Sequence, residues 1–242
     1  VLIDSVLERY KSGLSKEAYG YLAGFTSEVP DFSGQDSEYP AVPWYDELET
    51  EYTEEFDGDI FSNLKSLFED NEDASEFKAW YWQKITDRMG ETALISEWCK
   101  ENEKGYFPQI KTNANPYSQV LQTGSALQYL RRFNLPSVSF SGKTAVSHFL
   151  PVSVSSLAKQ FGSGTAGASV LGGLGWGIRP GEFEEYMTRL IECGINMFVF
   201  HTSFLHLNYK SLSRNQISFP THITWKKVVP QILERLREKA ED

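Results

Sequence analysis

The chain has 242 residues, of which 40% are apolar, 23% charged and 14% aromatic, and its formal net charge is −10. That composition is ordinary for a globular protein, and the length suits one large α/β domain or two small ones. The acidic balance argues against nucleic acid and anionic membranes as partners and suits a neutral substrate or a cation; no apolar run approaches the length that spans a bilayer.

In chain order, residues 1–14 read as a helix with Leu2, Ile3, Val6, Leu7 and Tyr10 on one face and Gly13 at its end. Val1 in place of Met, leading straight into this helix, reads as a clipped or engineered amino end. Residues 20–27 form an apolar, aromatic run that stops at Glu28 and the Val29-Pro30 step, which reads as a buried strand. Pro30, Gly34, Pro40 and Pro43 among Asp, Ser and Glu then mark a surface loop over 29–43. Residues 44–68 read as an acidic helix and 74–103 as a long amphipathic one with Phe77, Trp80, Tyr81, Ile85, Met89, Ala93, Ile95 and Trp98 inward.

Strands and helices alternate from there. Strands are expected over 105–112, 137–141, 164–171 and 195–201, with helices over 117–133, 152–161, 181–193 and, kinked at Pro230, 224–239. Such alternation points to parallel βαβ units with right-handed crossovers in a single domain over 1–242. The fold class expected is α/β, a (β/α)8 TIM-barrel-like sheet of which five strands are readable, hence a partial barrel, since a closed one has eight.

In a barrel the chemistry sits at the carboxyl ends of the strands. Those ends are Glu28, Lys111 to Asn115, Ser139 and Ser141, Ser169 to Gly173, and His201 to Ser203. Together they gather a carboxylate, a histidine, a lysine, the amides of Asn113 and Asn115 and several hydroxyls. Amides and hydroxyls recognise sugar hydroxyls, and a carboxylic acid can protonate a glycosidic oxygen. Glu28 therefore reads as a general acid whose partial burial would raise its pKa, or as a solvated loop glutamate. His201 reads as catalytic or as a hydrogen-bonded structural residue. Trp176 reads as a stacking ring or a core residue, and Trp44 is a second candidate stacking ring.

Other motifs carry less. Gly172-Gly173-Leu174-Gly175-Trp176-Gly177 lacks the Lys-Ser/Thr of a phosphate loop, and no Gly-x-Ser-x-Gly elbow is present. Asp57 and Asp59 lack the spacing of a calcium loop and read as a solvated face. Cys99 and Cys193 read as two separate buried thiols without metal-ligand spacing. No metal site is expected from the residues themselves, and self-association is an expected way to complete a partial barrel.

Several segments in order resemble glycoside hydrolase family 106, the α-L-rhamnosidases. They are Phe25-Thr26-Ser27-Glu28-Val29-Pro30, Val42-Pro43-Trp44-Tyr45-Asp46-Glu47-Leu48, Phe56-Asp57-Gly58-Asp59-Ile60, Leu67-Phe68, Gly175-Trp176-Gly177, Gly194-Ile195-Asn196 with Val199-Phe200-His201, and Thr224-Trp225. The likeness runs over nearly the whole chain. It implies a catalytic (β/α)8 barrel that removes a terminal deoxy-sugar with inversion, often with calcium, and further strands upstream and β-domains downstream. Ser169 stands where the family carries a glutamate, and Thr112-Asn113-Ala114-Asn115-Pro116 replaces a segment where an acidic residue is expected. Two readings follow: a glycosidase with Glu28 as the surviving acid and Lys111, Asn113, Asn115, Ser169 and His201 around the sugar, or a degenerate relative that binds carbohydrate or serves as a scaffold.

Overall fold

The computed structural model describes residues 3–28, 42–69, 72–90, 93–111, 119–120, 124–141, 148–172, 178–200 and 223–241. The chain divides into two compact units, one of Val1–Val29, Ala93–Ala114 and Leu130–Asp242, the other of Pro30–Thr92 and Asn115–Tyr129. In chain order the elements are a π-helical segment Ile3–Leu7, α1 (Glu8–Gly13), α2 (Lys16–Tyr21), β1 (Gly24–Glu28), α3 (Leu48–Phe56), 3-10 turns at Ile60–Ser62, Leu64–Phe68 and Glu72–Ala74, and α4 (Ser75–Met89). There follow α5 (Ala93–Glu101), β2 (Gly105–Lys111), α6 (Ala126–Leu130), β3 (Ser137–Ser141), α7 (Phe149–Phe161), β4 (Gly167–Gly172), α8 (Pro180–Glu192), β5 (Met197–Phe200) and α9 (Ile223–Glu241).

The first unit is built on a five-stranded sheet in the order β1-β2-β3-β4-β5, every pair parallel. Sequential order with crossovers of one hand puts the connecting helices on the same face. The ring contacts bear this out. Phe25 of β1 meets Tyr10 and Trp98 edge-on, Phe140 of β3 meets Tyr186, and Phe200 of β5 meets Phe183. Alternation then turns Thr26, Phe107, Gln109, Ser137, Ser139, Gly167, Ser169 and Val199 to the opposite face. That face curls on itself: a Cβ added at Gly167 on β4 would collide with the Phe107 ring from β2, two strands away. The result is an α/β half-barrel, a curled parallel sheet flanked by helices.

Helix boundaries follow local chemistry. Ser15 caps α2, its hydroxyl accepting the Ala18 N–H at 3.1 Å. Pro180 opens α8, where the Glu182 carboxylate accepts the Arg179 N–H at 2.7 Å. α9 lies along α8, with Trp225 edge-on to Phe183, Ile232 and Leu236 buried, and Arg235 donating to both Glu184 oxygens at 2.9 and 2.7 Å.

The second unit is helical around Leu48, Tyr52, Ile60, Leu67, Phe77, Tyr81 and Ile85. The Tyr81 hydroxyl donates to the Pro43 carbonyl, and Thr86 Oγ1 accepts the Ser125 N–H at 2.9 Å.

The structure corrects several expected boundaries. The strand expected over 20–27 starts at Gly24, because the Ser15-capped helix α2 takes residues 16–21. The expected helix 44–68 ends at Phe56, where Asp57 turns left-handed at φ 50°, and resumes as 3-10 turns. The expected helix 74–103 is divided into α4 and α5. Within 117–133 the described helices are α6 and residues 119–120. Helix α7 begins at Phe149 and carries Pro151 in its first turn, where a missing N–H leaves nothing unpaired.

Candidate functional site

Because the five strands run parallel, their carboxyl ends share one edge of the half-barrel. Two register rows cross the sheet near that edge. One runs Glu28, Gln109, Ser137, Gly167 and Met197; the next runs Lys111, Ser139, Ser169 and Val199. Glu28 and Lys111, both expected at the site, are therefore the terminal residues of adjacent strands, with Gln109 in register with Glu28. Ser169 is in register with Ser139.

Apart from Glu28 and Lys111 the residues of the two rows are uncharged, and several can hydrogen-bond. Gln109, Ser137 and Ser169 are buried and Ser139 is partly exposed. Ser137 Oγ donates to the Pro108 carbonyl, and Thr26 Oγ1 donates to the Phe107 carbonyl at 2.7 Å. Ser169 is wholly buried, at 0% exposure, and its Oγ meets no hydrogen-bond partner among the described residues. Beyond it the β3–β4 register shifts between Ser139 and Ser141, and Leu171 adopts φ 74°. A register shift with a left-handed leucine beside it is a β-bulge at the carboxyl end of β4. Glu28 is the one carboxylate in the five strands.

Asn113, Asn115, Trp176 and His201 lie outside the described residues. Trp44 belongs to the second unit, where it stacks on Phe61 with ring centroids 5.3 Å apart and planes 19° from parallel; the rings are 36% and 57% exposed. Sequence reasoning passed over Thr26, Gln109 and Ser137. The signal was present: in Phe107-Pro108-Gln109-Ile110-Lys111 alternation puts Gln109 on the face that ends in Lys111.

Other chemistries find less support. Cys99 and Cys193 are buried free thiols. Burial pushes the Cys99 thiol up to about 11, and burial with the nearby Glu192 charge raises Cys193, whose Sγ is 3.3 Å from His148 Nδ1. A thiol held protonated is a poor nucleophile. Among the described residues no group of three or more His, Cys, Asp or Glu is arranged to hold a metal ion. Asp59 caps a 3-10 turn, accepting the Phe61 N–H at 3.0 Å. No described helix is long and apolar enough to cross a membrane.

No family model, no curated protein and no solved structure matches this chain.

Proposed function

We propose that this chain is a glycoside hydrolase-like protein that takes a neutral terminal sugar, such as α-L-rhamnose, at the carboxyl ends of its strands, with Glu28 as the acid. The observation that carries the reading is the pair of register rows, Glu28–Gln109–Ser137 and Lys111–Ser139–Ser169, along the shared edge of a parallel half-barrel. Glu28 protonates the glycosidic oxygen as the bond to the anomeric carbon breaks, water supplies the new hydroxyl there, and the proton that water sheds passes to solvent, from which the Glu28 carboxylate is reprotonated. Amide and hydroxyl groups exchange hydrogen bonds with the sugar. Lys111, Asn113 and His201 extend that set, and Trp176 is the ring offered for stacking. Turnover of aryl glycosides, rhamnosides first, tests the proposal: Glu28→Gln should lose roughly 100-fold or more in kcat, the scale of general acid catalysis. Equal turnover by the two proteins removes Glu28 from the mechanism.

A second reading, sugar binding without hydrolysis, is favoured by one observation: the five strands hold a single carboxylate, while cleavage with inversion uses two. Calorimetry against a glycan panel separates the readings, since binding without turnover selects the second and turnover rejects it.

A further inference from the structure

We propose that the Ser139–Ser169 row of β3 and β4 is a subsite for one hydroxyl of a neutral polyhydroxylated ligand, with Ser169 Oγ as its buried anchor. This rests on the carbohydrate reading above and narrows it to two strands.

Two separate anomalies within three residues of β4 carry the inference. The first is the unmet hydroxyl. A buried polar group is nearly always paired, because water's hydrogen bonds are lost on burial and must be replaced. Four buried side-chain groups lack partners among the described residues: Tyr19, Trp80, Ser169 and Tyr186. Three of them stand on helices, and Ser169 alone stands on the inner face of the sheet. An alanine there would pack as well and leave nothing unpaired, so the hydroxyl works against stability in the free protein. The second anomaly is the bulge. Leu171 holds φ 74° without being glycine, and the ladder skips a residue beside it. Left-handed strain of this kind collects where a backbone is shaped for a ligand, and bulges at strand ends re-aim the side chains around them.

The neighbours define the ligand's chemistry. Ser139 is in register with Ser169 on one side and is partly exposed, which opens the row to solvent. Val199 is in register on the other side and offers an apolar flank. A serine hydroxyl both donates and accepts, as a sugar hydroxyl does, and Val199 suits the C–H face of a pyranose. No carboxylate stands in this row.

The test compares the wild type with Ser169→Ala in two measurements, thermal melting and calorimetric titration with L-rhamnose and a panel of neutral monosaccharides. The expected result is a variant that melts at or above the wild-type temperature and binds sugar about five- to tenfold more weakly, the loss of one hydrogen bond. Ser139→Ala, altered at the open end of the row, should also weaken binding. Wild-type binding with unchanged affinity in Ser169→Ala overturns the subsite and leaves the carbohydrate reading standing. Weaker binding with a lower melting temperature in Ser169→Ala marks the hydroxyl as a structural group and also overturns the subsite. A wild type that binds no sugar of the panel overturns the carbohydrate reading, and the subsite falls with it.

Discussion

Gly167 shows how one residue sets the shape of the inner face. It pairs with Ser137 and Met197, and a side chain there would run into the Phe107 ring and come within 3.0 Å of Ser137 Cβ. Phe107 is nearly fully buried and has little room to retreat. Overpacking a close-fitted interior costs about 1–3 kcal/mol. Gly167→Ala should lower the unfolding free energy read from urea melts by that amount, and adding Phe107→Leu should recover part of the loss, because residues in contact are not additive. Gly167→Ala at wild-type stability would mean that the ring does not lie across β4.

Helix α9 allows packing and charge to be weighed against each other. Trp225 is buried against Phe183, whereas the bidentate pair between Arg235 and Glu184 lies at the surface. Removing a buried tryptophan costs about 3–5 kcal/mol, so Trp225→Ala should destabilise far more than Arg235→Ala. The ion pair also leaves a pH signature. The Arg235 hydrogen bond holds the Glu184 carboxyl below its ordinary value near 4.5. A carboxyl depressed in the folded state contributes stability above its unfolded pKa and loses it as pH falls through the folded one. The stability gap between wild type and Arg235→Ala should therefore close as urea melts are taken from about pH 6 to about pH 3. A gap that is constant over that range would exclude the pair as its source. The elements themselves were unevenly legible. Ser137-Val138-Ser139-Phe140-Ser141 alternates cleanly and is a strand at the expected residues. The run from Gly20 to Phe25 joins the last turn of α2 to the start of β1, and a short apolar run has no period that separates the two. At the site, strand ends could be read because parallel topology fixes which end carries polar residues. The unmet Ser169 hydroxyl and the Leu171 bulge could not, since both depend on register between distant segments.

At the scale of the molecule, the chain carries two compact units with separate cores, and the helical one interrupts the connections from β1 to β2 and from β2 to β3. Three of the six tryptophans, Trp44, Trp80 and Trp82, fall in the helical unit, while every strand among the described residues falls in the other. Units with their own cores open as separate cooperative steps. Urea unfolding followed by tryptophan fluorescence and by far-ultraviolet circular dichroism should give transitions that do not superimpose; coincident curves would show a single cooperative block. The strand order has a consequence for biosynthesis as well. Since β1 to β5 line up as they are translated, each strand leaving the ribosome finds its neighbour already made. The half-barrel can therefore grow vectorially, and its one long wait falls between β1 and β2, while the larger part of the helical unit is being synthesised.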